Sequence, residues 1–401
     1  MSISTKIKEV SQTLKEPEWL LSWRKKGLEQ AATLPVAIKH GIGISALFPE
    51  IEPDFEGVAE YHVDASKGLE IYTWSEACTQ EEVVPILEGL LGSSFFPVPK
   101  DAFRAKGNAL FASGLLVYVQ PNMAEDGTFL TERLTLDTNV PKSSSSDIVV
   151  VIVKAGAKCE LVLNNAGGDF GSVHSRTLVV VTEQDAVARI TQRDSVALGA
   201  MVMHDSRGVV AGNAKVIWRE LFVDDVLVSS VTHNLLIGSS ASVKVLQGLV
   251  ARGHAAFDVD VSAEHVADDT HSQIFTAGTA QDVSTILYRG LVGMREGVHK
   301  VVGAQEAKFL TLTPGAKIDA IPSLDIASND VTCAHKLSLS HVREGDLFYP
   351  KLRGLSDDES RALHMEAHFA HVFGGEENVD IMEIIAEVHH LQKDLVDKST
   401  S

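Results

Sequence analysis

The feature that most constrains this chain of 401 residues is a long series of short, Val-rich segments in which apolar and polar residues alternate. The series begins at Leu115, and each run ends at Gly, Asn, Asp or Ser. Many short, evenly spaced strands predict a sandwich, a barrel or a β-solenoid, and periodicity alone leaves the sandwich and the solenoid open. Asn-Gly and Asp-Gly pairs are scarce, which mildly favours parallel rungs over hairpins.

Both ends of the chain have helical patterns, with apolar residues three and four positions apart. The predicted N-terminal elements are helices over 4–14, 16–35, 79–91 and 101–114 and a strand over 69–74. At the C-terminus, Ser356 stands where it can cap a helix, and a last helix is predicted over 377–396. The sequence therefore predicts a helical and mixed N-terminal region (1–114), a β core (115–342) and a C-terminal helical region (343–401).

Composition narrows the possible functions. The formal net charge of −19 argues against non-specific binding to nucleic acid or to anionic lipid. The three cysteines are too few and too scattered for a disulfide framework, which favours a reducing compartment. We find no signal region, no apolar run long enough to span a membrane and no phosphate-binding loop. We therefore expect a cytoplasmic protein without a nucleic-acid or membrane partner, which does not itself hydrolyse nucleotide.

The candidate site is a cysteine two residues before a histidine, Cys333 and His335, within an alternating run. Residues i and i+2 of a strand share a face, so the thiolate and the imidazole point the same way. That donor pair suits iron–sulfur, zinc or copper(I) chemistry, but it is half a site and would need ligands from a second chain. The spacing alone favours a core cysteine and a satisfied histidine, because a single C-x-H lacks the doubled spacing that makes zinc motifs specific.

The other cysteines and histidines are weaker candidates for metal ligands. Cys159 lies in an alternating run and is interpreted as a core residue, and Cys78, expected to open a helix, is interpreted as structural. Histidines recur at helical spacing near the C-terminus without the acid of a zinc protease motif, so they favour a partner-facing or half-buried surface over a metal site. They are His364, His368 and His371. His265 and His271 border acidic residues at a possible rung turn.

The frame around Cys333 resembles the C-terminal signature of the SufB/SufD family of iron–sulfur cluster assembly proteins. The matching blocks are PSLDIASNDVTCAH and LFYPKLRGLSDDESRAL. Further blocks are similar to other parts of the family: EPEWLLSWRKKGLE to its N-terminal helical motif, DAFRAKGNALFASGLLVYVQPN to the entry of its β-helix, and HVADDTHSQIFTAG to a later rung.

The resemblance implies a mainly β fold, a right-handed parallel β-helix core with helical N- and C-terminal regions. It implies a scaffold subunit that is not an enzyme, with ATP hydrolysis expected in a SufC-like ATPase that docks on the C-terminal helical region. It also implies pairing with a SufB-like subunit, or with an identical one, and a transient iron–sulfur cluster at their interface near Cys333 and His335. The residues expected to bind a partner are Leu347, Phe348, Tyr349, Arg353 and Gly354.

The departures from the family pattern favour SufD over SufB, or a divergent relative that forms homodimers. Lys336 follows the histidine where members often have Gly, and Ala334 precedes it where SufB has an acid. The upstream cysteine of SufB-like members has no counterpart in AKFLTLTPGAKI.

Two other functions remain open: a β-solenoid polysaccharide lyase or hydrolase, and a purely structural partner of an ABC-type ATPase. The first usually carries a signal peptide and clustered catalytic acids, which this sequence lacks.

Overall fold

The computed structural model describes residues 3–35, 53–124 and 126–373. Within them the chain winds into a solenoid of two facing sheets: from β3 onward the odd-numbered strands form one sheet and the even-numbered strands the other, while β2 joins the odd sheet and β1 the even sheet. The odd sheet runs from β2 to β17 and the even sheet from β1 to β18. Neighbours within each sheet are parallel, except that β1 pairs antiparallel with β4 and β2 antiparallel with β3. The prediction of a mainly β, parallel solenoid with terminal helices is confirmed.

From β3 onward the strands alternate between the two sheets along the chain. They are β1 (Glu60–Ala65), β2 (Leu69–Thr73), β3 (Ser113–Val119), β4 (Thr131–Val140), β5 (Ser145–Val153), β6 (Lys158–Gly167), β7 (Val173–Thr182), β8 (Val187–Val196), β9 (Met201–Val210), β10 (Lys215–Asp224), β11 (Leu227–Leu236), β12 (Ser242–Ala251), β13 (Ala256–His265), β14 (His271–Ala280), β15 (Thr285–Met294), β16 (His299–Thr311), β17 (Lys317–Ile326) and β18 (Asp330–His341).

The described helices are α1 (Ile3–Thr13), α2 (Glu18–Ala31), α3 (Trp74–Ala77), α4 (Val84–Leu91), α5 (Ala102–Leu110), α6 (Glu344–Leu352) and α7 (Asp357–Phe373). None of them is long and apolar enough to cross a membrane. The helix predicted over 377–396 lies outside the described residues.

Tight corners set the length of each turn. Residues with positive φ recur where an odd strand passes to the next even strand: Gly156, Asp185, Asn213, Ser240 and Asp269. A small residue follows each of them and is fully buried: Ala157, Ala186, Ala214, Ala241 and Thr270. Gly, Asn and Asp adopt the left-handed conformation most readily, so corner residues of these types turn the chain at low cost.

The space between the sheets is filled by every second side chain of each strand. In β4 the inward residues Leu134 and Leu136 are buried, whereas the outward residues Arg133 and Asp137 are exposed, as in a half-buried strand. The inward apolar residues of both sheets form one continuous cluster along the solenoid. Burial of apolar area at about 25 cal/mol per Å² is the main term that stabilises such a stack.

The N-terminal elements cover one end of the solenoid and part of the odd sheet. Arg104 of α5 is buried between its own helix and the sheet, where it pairs with Asp101 and donates to the carbonyl of Ser229 at 2.8 Å. Short antiparallel strands β1 and β2 form the outer edges at this end. The opposite end has no such cover among the described residues, and β17 and β18 form its edges.

Several helix boundaries differ from the predictions. The helix expected over 79–91 begins only at Val84, where Pro85 sets the start of α4, and the short helix α3 precedes the predicted range, because Thr73 caps α3 and exchanges hydrogen bonds with Glu76. Cys78 consequently lies at the C-terminal end of α3 and does not open a helix. The helix expected to reach Gly114 ends at Leu110, and Gly114 belongs to β3, where an added Cβ would lie 2.5 Å from the carbonyl oxygen of Ile148.

Candidate functional site

The predicted pair lies on β18, the last strand of the even sheet. Parallel pairing with β16 places Cys333 beside Gly303 and His335 beside Gln305. The other side of β18 has no neighbouring strand in the described structure. Backbone donors and acceptors at such an edge can pair with another chain, so the site lies where a second subunit can reach it.

Cys333 points inward and packs against the end of the core cluster, where it is half-buried. Its sulfur has room because its neighbour is Gly303: a Cβ at that glycine would lie 3.3 Å from Sγ. Burial raises the pKa of the Cys333 thiol, and a hydrogen bond from the Ala334 backbone opposes that shift only in part. The side chain is therefore a thiol at neutral pH, and a bound metal ion would have to displace its proton.

His335 lies two residues further along the same face, and its side chain is exposed. Beside it, Gln305 is buried and donates from Nε2 to the Tyr288 hydroxyl at 3.1 Å. The Oε1 atom of Gln305 is a buried acceptor without a hydrogen-bond partner among the described residues. A histidine that binds metal through one nitrogen normally donates from the other, and this amide oxygen is a suitable acceptor for that proton.

An apolar rim lies along the two edge strands at the open end. Ile321 and Ile326 of β17 are 46% and 43% exposed, and Leu337 and Leu339 of β18 are 38% and 53% exposed. Exposed apolar residues along an unpaired edge are typical of a surface that another protein covers. Among residues 3–35, 53–124 and 126–373, no group of three or more His, Cys, Asp or Glu side chains is placed to hold a metal ion. A metal site at Cys333 and His335 would therefore need further ligands from elsewhere.

The two other cysteines are structural. Cys159 is fully buried in the core cluster, and burial raises the pKa of its thiol to about 12. Cys78 is buried among the N-terminal helices, where burial first and the Glu16 carboxylate second raise the pKa of its thiol to about 12. Neither thiol ionises near neutral pH.

Three of the other candidate histidines have structural partners in the described structure. His265 is fully buried between the hydroxyls of Thr270 and Ser272, at 2.7 and 2.8 Å, and burial lowers its pKa to about 4. Two histidines of α7 hold it in place: Nε2 of His364 donates to the carbonyl of Asp346, and Nε2 of His368 to the carbonyl of Lys308. His271 is exposed, and the side chain of His371 lies outside the described part.

The residues predicted to bind a partner lie on α6 and just after it. Phe348 and Tyr349 are 63% and 62% exposed, whereas Leu347 is buried. Arg353 stacks over the Tyr349 ring and donates to its hydroxyl at 2.7 Å. Gly354 has a φ of +96°, a conformation that favours glycine. The helix thus presents an aromatic and cationic surface next to α7.

A polar column inside the solenoid was not predicted. At its N-terminal end, Arg176 binds Asp147 through Nε and Nη2 and also donates to Asn165, and all three side chains are buried. Asn165 donates to Asp194, which bonds to His204. Further along the column, hydrogen bonds join the side chains of Thr232, Glu220, Gln247 and Thr276. The column reaches the open end at Tyr288 and Gln305.

The sequence signal for this column is a charged residue at an inward position, such as Asp147 or Arg176, but it is recognisable only once the strand register is known.

Comparison with known proteins finds one family model and relatives of the same description. The family model described as SUF system FeS cluster assembly, SufBD core domain, matches residues 136–368, more than half of the chain. An iron–sulfur cluster assembly SufBD family protein of Staphylococcus saprophyticus is 22% identical over 405 aligned residues, which cover 89% of this chain and 86% of that protein. Proteins of the same description from Staphylococcus haemolyticus and Staphylococcus aureus are each 21% identical over the same shares.

Proposed function

The chain belongs to the SufBD family of iron–sulfur cluster assembly proteins, and on that premise we propose that it is a non-catalytic scaffold subunit of the SufD type. A nascent cluster is its cargo, held transiently at the interface with a SufB-like subunit or with a second copy. Cys333 and His335 are its ligands from this chain. The observation that carries the proposal is the position of this pair on an unpaired edge strand.

The chemistry of the edge supports this role. Thiolate and imidazole are both known ligands of iron–sulfur clusters, and two donors per chain complete a site when two chains meet. The apolar rim formed by Ile321, Ile326, Leu337 and Leu339 gives that meeting a hydrophobic component. Gln305 supplies a buried acceptor next to His335. Loss of either ligand would leave the partner's donors without a complete site.

A SufC-like ATPase docks on the C-terminal helices in this proposal. The exposed Phe348 and Tyr349 on α6 and the adjacent Arg353 form the contact surface, while Leu347 holds the helix against the solenoid. Aromatic residues and arginine are the types enriched at the centres of protein interfaces. ATP hydrolysis takes place in that partner, and this chain transmits the resulting movement to the open edge.

The test is a double variant, Cys333→Ala/His335→Ala, co-expressed with the ATPase and the second scaffold subunit. We expect the complex to assemble but to carry no cluster, measured by iron and acid-labile sulfide content and by the visible absorbance of the anaerobically purified complex. The matched control is Thr332→Ala/Ser338→Ala, which changes two outward-facing positions of the same strand. Normal cluster content in the double variant would refute the proposal.

The same experiment separates the purely structural alternative, in which the chain only joins two ATPase subunits. That alternative predicts equal cluster content in the double variant and in the control. For a polysaccharide enzyme, incubation of the purified chain with acidic and neutral glycans would release unsaturated or reducing ends. We expect none.

A further inference from the structure

A cavity of about 170 Å³ lies among the N-terminal elements, between α2, α5 and the loop that follows α4. It opens to the surface beside Val98, which is 69% exposed. None of the described residues that line it belongs to the edge strands β17 and β18 or to the helices α6 and α7. The proposed cluster site and ATPase surface therefore leave this space unexplained. We call it the α2–α5 cavity.

Apolar ring-shaped side chains form much of the wall of the α2–α5 cavity. Trp23 and Phe96 meet edge to face, with their ring centroids 5.5 Å apart. Pro97 and Pro99 line the cavity next to Phe96. The indole nitrogen of Trp23 donates to the carbonyl of Leu91 at 3.2 Å, so the indole offers the cavity only apolar ring surface. Apolar cavities of about 150 Å³ hold one benzene ring. The α2–α5 cavity therefore has room for one six-membered ring and a small substituent.

The lining also contains a buried hydrogen-bond donor. Asn108 of α5 is 3% exposed, and its Oδ1 atom accepts from the Thr177 hydroxyl at 2.8 Å. That hydrogen bond fixes the orientation of the amide. The Nδ2 atom is a buried donor without a hydrogen-bond partner among the described residues. Because a buried donor without an acceptor is costly, a ligand that brings an acceptor to Asn108 gains free energy that a purely apolar ligand does not.

The charge of the lining selects the kind of acceptor. Lys26 and Gln30 line the cavity one helical turn apart on α2, and both side chains are exposed. Neither side chain has an ion pair or a hydrogen bond with another described residue. No acidic residue is among the described residues that line the α2–α5 cavity. One ammonium group and two amides, with no competing carboxylate, suit a ligand that carries a carboxylate.

We propose that the α2–α5 cavity binds a small carboxylic acid that carries one apolar ring. The ring packs against Trp23 and Phe96, where aromatic side chains favour edge-to-face and offset contacts. One carboxylate oxygen accepts from Nδ2 of Asn108, and the flexible Lys26 side chain pairs with the carboxylate from the solvent side. The inference does not depend on the proposed scaffold function, because no residue of the edge strands takes part.

The test is the binding of benzoate to the full-length protein at pH 7, measured by saturation-transfer difference NMR and by isothermal titration calorimetry. For a ligand of this size we expect a Kd of about 1 mM or below. Benzamide, which has nearly the same shape without the charge, should bind at least about twofold more weakly. Acetate, which lacks the ring, should not bind detectably. Absence of benzoate binding at about ten times the expected Kd, or equal binding of benzamide, would overturn the proposal.

A pair of lysine variants assigns the binding to this cavity. Lys26→Ala should weaken benzoate binding about two- to fivefold and leave benzamide binding unchanged, because an exposed ion pair contributes that much. Lys25→Ala is the matched control, since it removes the adjacent exposed lysine, which does not line the cavity. It should change neither affinity. Equal benzoate affinities in the two variants would contradict the proposal.

An isosteric variant tests the buried donor. Asn108→Asp keeps an oxygen that accepts from Thr177 but replaces the Nδ2 donor by a second carboxyl oxygen. We expect benzoate binding to fall at least about tenfold, because a donor is lost and two carboxyl groups face each other. Thermal unfolding establishes that the variant is folded. Unchanged benzoate affinity in the folded variant would refute the assignment of Asn108, and if the variant does not fold, the two lysine variants decide.

Discussion

The sulfur of Cys333 lies beside Gly303 of the neighbouring strand, 3.3 Å from the position that a Cβ on that glycine would occupy. The same Cβ would lie 2.7 Å from Val292 and 2.8 Å from Met294, which is closer than side chains tolerate. The absence of a side chain at this one position therefore creates the space in which the thiol sits.

Gly303→Ala is accordingly expected to displace the Cys333 thiol and to destabilise the fold by about 1–3 kcal/mol through overpacking. Urea unfolding measures the stability, and the rate of reaction with a disulfide reagent measures the exposure of the thiol. Gly345→Ala is the matched control, because nothing lies within 4 Å of that Cβ in α6 and alanine favours helix. Equal stabilities of the two variants would contradict the packing argument.

Cys333 is expected to be the one cysteine that alkylates in the folded protein. The pKa values of Cys78 and Cys159 are raised to about 12 by burial and both thiols are buried, whereas Cys333, whose pKa burial also raises, is only half-buried. Its reaction with iodoacetamide at pH 7 should be slower than that of a free cysteine, and it should accelerate as the pH rises past 9. Mass spectrometry at a series of pH values measures this. Faster reaction at Cys78 or Cys159 would refute it.

His265 makes the fold sensitive to acid. Burial lowers its pKa to about 4, below the unfolded value of about 6.5, so the unfolded chain binds the proton first as the pH falls. The stability that the neutral imidazole contributes is complete above pH 6.5 and is lost between there and pH 4, at up to about 1.4 kcal/mol per pH unit.

His265→Gln should therefore be less stable at pH 7.5 but show a shallower loss of stability toward pH 5. The free energies of unfolding in urea at the two pH values test this. His254→Gln, an exposed histidine in the turn before β13, is the control and should leave the slope unchanged. If the stability of the His265 variant fell between pH 7.5 and pH 5 as steeply as that of the unmodified protein, the assignment would be refuted.

Removal of one partner of the ion pair inside the solenoid is expected to destabilise the protein strongly. The Arg176 guanidinium holds the pKa of the Asp147 carboxyl below its usual value although both are fully buried. Asp147→Asn leaves the arginine without a counter-charge and should cost about 3–5 kcal/mol. Glu160→Gln, which removes the partner of exposed Arg133, should cost no more than about 1 kcal/mol. Thermal or urea unfolding compares the two.

The strands were predictable from the sequence because alternation is a local property, as in β6, where Cys159 and Leu161 are buried and their neighbours are not. The choice between sandwich and solenoid also had a signal, the recurrence of a turn residue followed by a small one at Gly156, Asp185 and Asn213. Recognition of that repeat would have settled the topology. The boundary near Thr79 failed because the Thr73–Glu76 cap, six residues earlier, competes with it.

The candidate site was predictable only in part. The shared face of Cys333 and His335 follows from their spacing, but Gln305 and Gly303 become their neighbours through a register of about thirty residues that no local pattern specifies. The same reason hides the polar column, because the partners Asp147 and Arg176 lie on successive odd strands. Ligands that a second chain would supply are encoded in that chain and not in this sequence.

The two ends of the solenoid differ, and this difference limits how the protein can assemble. At the N-terminal end the outermost strands are short, run against their neighbours and carry acids such as Glu60 and Asp64, which discourages further pairing. The other end offers the long strands β17 and β18. We therefore expect pairing through the strand edges of the described solenoid to bring two such ends together and not to produce head-to-tail filaments.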